Sequence, residues 1–253
     1  MSTTSSTSSA SARRRRGVFA AVAVLVLALV LGLVSALGGA PDSGSGGESA
    51  APAETSESPQ APNEALLALA RRDDGDPNAL GRADAPVVLI EYADFQCPFC
   101  GKFARDTAPE LIEKYVESGV LRIEWRDFPI FGEESEAAAR AGYAAGRQGR
   151  FWEFNEVAYS EDRKRNSGHF AEDKLVEMAR EAGVKDLEKF RADMESADAD
   201  KAIERDAREG YDLGVTSTPA FLVNDRPILG AQPTEVFVEA IEAAKKAAEE
   251  HGK

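Results

Sequence analysis

An α/β domain carrying an inserted all-helical block is what this sequence predicts, on three observations. Val87-Val88-Leu89-Ile90-Glu91-Tyr92-Ala93 is a short apolar run with three β-branched residues, the pattern of a buried strand. It feeds Cys97-Pro98-Phe99-Cys100, which holds the only two cysteines of 253 residues and opens a helical pattern. From Glu133 to about Leu213 the signal is almost wholly helical, before a hairpin pattern begins at Ala220.

In chain order, residues 1–16 end in Arg13-Arg14-Arg15-Arg16, and Gly17 to Gly39 follows without a charge and rich in Ala, Val and Leu. That length spans a bilayer as a helix. Arginines stay on the cytoplasmic side, so 1–16 is expected in the cytoplasm, 17–39 as a single-pass membrane anchor and the C-terminal bulk outside the cell membrane. A cleaved signal peptide, with Val34-Ser35-Ala36 as the cleavage site, is the alternative and would make the domain secreted. Residues 40–63 hold Gly, Ser, Pro, Ala and Glu with almost no large apolar side chain and read as a flexible linker, leaving the folded domain at 64–253.

Glu64–Arg72 has the spacing of a short amphipathic helix, and Asp73–Pro86 is turn-rich, with Asp-Gly, Asp-Pro and Ala-Pro pairs. After the strand at 87–93 and the cysteines, Lys102–Ser118 reads as a helix kinked near Pro109, whose ring cannot continue the hydrogen-bond ladder. Val120–Trp125 reads as a second strand, with Leu121, Ile123 and Trp125 on one face and Arg122 and Glu124 on the other. Arg126-Asp127-Phe128-Pro129 is expected to end it. The helical block, at about 131–213, divides into Glu134–Arg147, Phe151–Tyr159, Ala171–Ala182, Asp186–Met194 and Ala197–Tyr211, separated by Gly149, Ser167-Gly168 and Gly183. Ala220–Val223 and Pro227–Leu229 then read as a hairpin turning at Asn224-Asp225-Arg226, and Thr234–Glu250 as a closing helix.

The spacing of the cysteines sets their chemistry. Cys97 is expected at the helix N-cap with Pro98 at the first helical position, where a missing N–H is not felt. Unpaired N–H groups and the positive end of the helix dipole then face the Cys97 sulfur and favour thiolate over thiol. Cys100 lies one turn further on the same side, within reach to resolve a mixed disulfide. Two blander readings compete. A structural disulfide across two residues closes so small a loop that it constrains little of the unfolded chain. A zinc site needs about four ligands, and beyond this pair the chain offers only His169 and His251 as ready candidates. Glu91, a carboxylate inside an apolar strand, is costly to bury without a role or a partner. Desolvation would raise its pKa, the alternative being an ion pair or a half-exposed strand face.

The segment Glu91-Tyr92-Ala93-Asp94-Phe95-Gln96-Cys97-Pro98-Phe99-Cys100 resembles the active site of the DsbA-like thiol–disulfide oxidoreductases. Gly214-Val215-Thr216-Ser217-Thr218-Pro219 resembles the Gly-Val-x-x-Thr-Pro segment of the same family, and the likeness covers roughly residues 80–250. The resemblance implies a thioredoxin-like fold with an inserted all-helical subdomain. It also implies a cis Pro219 facing the sulfurs, a redox-tuning role for Thr218, and an acidic residue below the second sulfur at Glu91, expected to exchange protons with Cys100. Thr218, Pro219 and Phe99 are the residues expected to meet substrate. Phe99 departs from the histidine often found in the family, which would leave Cys97 less acidic and the protein less oxidising.

The implied activity is the introduction of disulfides into exported proteins. Its partners would be unfolded or reduced exported proteins and a quinone-linked membrane reoxidant, DsbB-like or vitamin K epoxide reductase-like, with no cofactor and no metal. A disulfide isomerase or reductase on the same fold is one alternative. A non-catalytic chaperone-like binding domain, using Phe95, Phe99 and Phe221 as an apolar platform, is another.

Charge narrows the partners further. The net charge is −14, and the four arginines are the only charged residues before Pro41, so the remainder carries −14 less those four, or −18. Such a domain is a poor match for nucleic acid or for anionic lipid surfaces. Its acidity is expected first to keep it soluble and, if it acts on substrates at all, to favour basic unfolded chains.

Overall fold

The computed structural model describes residues 62–251. The segments read as cytoplasmic, as membrane anchor and as most of the linker lie outside the described residues. Among those described, no helix is long and apolar enough to cross a membrane.

Five strands build one mixed sheet: β1 (Ala79–Leu80), β2 (Val87–Ala93), β3 (Leu121–Asp127), β4 (Ala220–Val223) and β5 (Arg226–Leu229), in the order β1-β3-β2-β4-β5. The apolar run at 87–93 takes the central place, parallel to β3 and antiparallel to β4. All seven of its residues are buried, which requires cover on both faces of the sheet. Alternation along the strand divides them. Val87 and Leu89 pack with Phe103, Phe221 and Phe237 on one face, while Val88, Ile90 and Tyr92 pack with Phe128 and Leu222 on the other. Glu91 follows the odd-numbered set and so points towards the face of Phe103.

The helices are α1 (Glu64–Leu67), α2 (Pro98–Asp106), α3 (Ala108–Leu111) running into a π-turn at Ile112–Val116, α4 (Glu133–Gly146), α5 (Phe151–Tyr159), α6 (Glu172–Glu181), α7 (Leu187–Met194), α8 (Ala197–Asp212) and α9 (Thr234–His251). Helices α4 to α8 follow β3 and precede β4, so the α/β core with an all-helical insertion is the observed architecture. The stops read from the sequence work as expected. Gly183 adopts φ +81°, which glycine reaches without strain, and the amide of Val184 turns back to the Ala179 carbonyl at 2.9 Å to close α6. The insertion joins the sheet through aromatic packing, with Phe95 lying 5.0 Å from Trp125 of β3 and 5.5 Å from Tyr159 of α5, ring centre to ring centre.

Three local readings are corrected. The helix expected over Glu64–Arg72 stops at Leu67, because the amides of Arg71 and Arg72 instead donate to Glu124 at 3.0 and 2.8 Å, which pulls the chain out of a helical path. The turn-rich stretch 73–86 contains the two-residue strand β1, paired antiparallel to β3, too short to show alternation in sequence. The linker boundary at 63 is also displaced. Asn63 caps α1 and its own amide donates to Asp225 at 2.9 Å, so it belongs to the folded domain. The helix at the cysteines starts at Pro98 with Cys97 as its N-cap, as read, and breaks at Thr107, close to the kink expected near Pro109. Pro109 has no N–H to give the Arg105 carbonyl, and the helix gives way two residues upstream of the ring.

Candidate active site

The site is assembled where the end of β2 meets the start of α2. Cys97 is the N-cap of α2 with extended backbone, and Pro98 occupies its first turn. No side chain caps this helix end, so its free N–H groups face the sulfur. Both cysteines are free thiols and both are buried. The pKa of Cys97 falls from 9.0 to about 6. The largest cause is the hydrogen bond from the Cys100 thiol. Burial opposes it, and the Thr218 side chain and the amides of Cys100 and Phe99 add further stabilisation of the thiolate. Cys100 goes the other way. Complete burial, its bond to Cys97 and the charges of Cys97 and Glu91 hold its pKa well above the ordinary thiol value. One helical turn therefore carries one thiolate and one thiol at neutral pH.

Thr218 and Pro219 close the site from the opposite side. The peptide bond between them is cis, and the Cys97 thiol lies 3.2 Å from the Thr218 carbonyl oxygen. The Thr218 hydroxyl is buried with no partner while Cys97 holds its proton. It is thus free to donate when Cys97 ionises, in accord with its lowering of the Cys97 pKa. Phe99 is 60 % exposed beside the sulfurs, but Phe95 and Phe221 are buried in the core. The three-aromatic platform expected as one possibility is not formed. Only Phe99 is presented to solvent.

Glu91 is buried, and among the described residues no group hydrogen-bonds its carboxyl. Burial, helped by the charge of Cys97, raises its pKa from 4.5 to about 8, so it is a neutral acid at pH 7. It lines a cavity of about 730 Å³ with Trp152, Asn155 and Tyr159, which gives the carboxyl space for water. A protonated acid electrostatically coupled to Cys100 can hand over a proton when that sulfur leaves as thiolate. Replacing it, as Glu91→Gln, is expected to slow turnover about 10- to 100-fold while the fold persists. The same change bears on stability. An acid whose folded pKa is raised destabilises the fold progressively as pH climbs from 4.5 towards 8. The Gln variant should therefore lose less stability than wild type across that window in urea titrations. Wild-type kinetics that stay flat from roughly pH 5 to 8 would remove Glu91 from the mechanism.

Two residues of the site carried no signal of their own in the sequence. Asp94 receives the Gln96 amide at 2.7 Å and the Ser135 hydroxyl at 2.7 Å on one oxygen, and the Ile130 amide at 2.7 Å on the other. It fixes the turn that delivers Cys97 to α2. Gln96 donates to Ser135 at 2.9 Å and exchanges two bonds with Asn166, at 3.1 and 2.7 Å, tying the active-site turn to the loop after α5. The partners lie 39 and 70 residues away, and no local pattern announces them. Among the described residues no group of three or more His, Cys, Asp or Glu side chains is arranged to hold a metal ion.

An acidic thiol and a resolving thiol within one helical turn are what disulfide exchange requires, and they make this chain a thiol–disulfide oxidoreductase of thioredoxin-like fold. Comparison with known proteins agrees. The family model described as Thioredoxin matches residues 73–243. A probable disulfide bond formation protein D of Bacillus cereus is 32 % identical over 149 residues, covering 58 % of this chain and 69 % of that one. At the level of fold, oxidised BdbD of Bacillus subtilis superposes with a TM-score of 0.63 at 24 % identity, covering 68 % of this chain and 94 % of that one. Alpha-DsbA1 of Wolbachia pipientis does so at 0.62 and 23 % identity, covering 70 % and 94 %. The chain belongs to the thioredoxin family.

Proposed function

We propose that this chain is an oxidase of exported proteins, held outside the cytoplasmic membrane by the segment 17–39 and joined to it by the linker at 40–63. The observation that carries the direction is the split between the sulfurs, Cys97 down to about 6 and Cys100 up. Stabilising the thiolate stabilises the reduced form, which makes the disulfide the more oxidising partner. In the oxidised enzyme a substrate thiolate attacks Cys97 Sγ. The Cys97–Cys100 bond breaks, and Cys100 leaves as a thiolate that takes its proton from Glu91. A second substrate thiolate then attacks the substrate sulfur of the mixed disulfide and expels Cys97, again as thiolate. Two electrons pass from the substrate dithiol to the enzyme pair, and the substrate gains one disulfide. A quinone-linked membrane protein, DsbB-like or vitamin K epoxide reductase-like, would take those electrons away. Exported proteins in a reduced or unfolded state are the partners, with Phe99, Thr218 and Pro219 meeting their backbone and side chains.

Equilibration of the pair with glutathione buffers tests this. A potential near the −120 mV scale of DsbA, about, supports an oxidase, and one near about −270 mV, the thioredoxin value, supports a reductase and overturns the reading. Phe99 brings no positive charge to the first turn of α2, which favours a value between these limits, on the oxidising side. The chaperone-like alternative loses its main support with Phe95 and Phe221 buried.

A further inference from the structure

Cys100 has no contact with solvent. A substrate joined to Cys97 and lying on Phe99, Thr218 and Pro219 covers the site further, so a proton spent by Glu91 has to be replaced from another side. The cavity of about 730 Å³ lies between β3, α2, the π-turn and α5. Its walls include the buried Glu91 and also Glu113, Glu117 and Glu156, all three exposed, so it opens to solvent.

Three polar side chains along this cavity lack protein partners. The Trp152 Nε1–H is buried and unbonded. Asn155 and Glu91 are 7 % and 4 % exposed, and neither side chain enters a hydrogen bond or ion pair with another described residue. Buried polar groups are costly unless bonded, and water is the partner this space admits. The volume far exceeds the roughly 15 Å³ that one water needs, and Trp152, Asn155 and Glu91 supply the donors and acceptors that hold it. Trp152, Asn155 and Glu156 fall at i, i+3 and i+4 of α5, so one face of this helix carries the line. The Tyr159 hydroxyl is already committed, donating to the Asp94 carbonyl at 2.9 Å.

The charges at the wall favour the traffic of protons. Arg105 is anchored on the Tyr159 carbonyl at 2.7 Å and paired with Asp162, and Glu153 is held by Arg150. Among the described residues no cation lies within ion-pair distance of Glu113, Glu117 or Glu156. With Glu153 the wall carries four carboxylates against Arg105, so its field draws cations in and holds anions off.

We propose that this cavity is a water-filled proton inlet through the helical insertion, in which Trp152 and Asn155 position the water that returns a proton to Glu91 after each transfer to Cys100. It rests on the reading of Glu91 as the proton donor. Cys100 leaves as a thiolate, takes the Glu91 proton and ends as a thiol. The Glu91 carboxylate takes a proton from the neighbouring water, and the deficit passes along the water to the solvent at the mouth. When the pair is reoxidised, the same line carries the proton out. Trp152 and Asn155 are positioning residues, since neither gives up a proton of its own.

The test is steady-state oxidation of a dithiol peptide, with glutathione disulfide as the oxidant, in H2O and in D2O. Asn155→Leu, which keeps the volume and removes the amide, is expected to lower turnover about three- to tenfold and to raise the solvent isotope effect above that of wild type, whereas Asn155→Ser stays within about twofold. Trp152→Phe, which deletes the N–H and keeps an aromatic ring, should move both readouts in the same direction. The equilibrium potential should not change, because a path does not alter its end states. A folding defect lowers the active fraction and leaves the isotope effect where it was. Glu91→Gln/Asn155→Leu should be no slower than Glu91→Gln alone, since the inlet then has no destination. The proposal is overturned by a slow Glu91→Gln beside an Asn155→Leu as fast as wild type, by a slow Asn155→Leu with an unmoved isotope effect, or by losses that multiply in the double variant. A Glu91→Gln as fast as wild type removes the donor itself, and the inlet falls with it.

Discussion

Alkylation of the reduced protein with iodoacetamide should reach half its maximal rate near pH 6, and one thiol should react far ahead of the other. The early thiol is Cys97, whose pKa is drawn down by the Cys100 thiol, the Thr218 side chain and the first amides of α2. The late thiol is Cys100, fully buried and held protonated by its surroundings. Cys97→Ser should abolish disulfide exchange altogether, because no other nucleophilic sulfur is accessible to substrate in a chain with only two cysteines. Cys100→Ser cannot form the Cys97–Cys100 disulfide and should lose oxidase activity too, but its Cys97 thiolate should still attack a disulfide-bearing peptide, expel one peptide thiolate and remain trapped as a mixed disulfide, because the resolving thiol is gone. A Cys97 that titrates near the ordinary 9.0 would remove the driving force for the whole cycle.

Glu124→Ala should be the most damaging single change to stability, at about 3–5 kcal/mol, read from urea or thermal unfolding. Glu124 is fully buried on β3 between Arg122 and Arg126, both also buried, at 2.8 Å from each. It accepts as well the amides of Arg71 and Arg72. Truncating it leaves two buried guanidiniums short of their carboxylate and two amides unpaired. Burial by itself would raise the Glu124 pKa, but the bonds from Arg122, Arg126 and the two amides overcome it and hold the carboxyl at about 2, against an ordinary 4.5. A folded pKa below the unfolded one gives stability that is complete above pH 4.5 and lost as pH falls from there towards 2. Wild type should therefore lose stability on that acid limb, and the Ala variant should show a shallower one. A variant that melts with wild type would mean that this network contributes nothing net.

The pattern of periods and breakers made most of the domain legible. The strand 87–93, the cysteine pair at a helix start, five helices between Gly149, Gly183 and their flanking caps, and the hairpin before α9 are local features, each set by a few adjacent residues. The likeness at Gly214–Pro219 pointed to the segment that faces Cys97, which spacing alone would have left as a loop. What was not legible shares one property. The early end of α1, the strand β1, the bonds of Asp94 and Gln96, and the burial of the Arg122–Glu124–Arg126 row all depend on partners dozens of residues away.

By itself the sequence determined the α/β core, the helical insertion and the chemistry of Cys97 and Cys100, because N-capping, alternation and C-x-x-C spacing act over a single turn or strand. Only the tertiary structure decided which charges are desolvated. Arg122 and Glu124 occupy the face opposite Leu121 and Ile123 in any β-strand, and that face is dry only because Leu69 to Arg72 and α8 lie across it. Glu91 is a neutral acid for the same reason. A side chain's ionisation and reach depend on what the fold brings within a few ångströms of it, and sequence order does not record that distance.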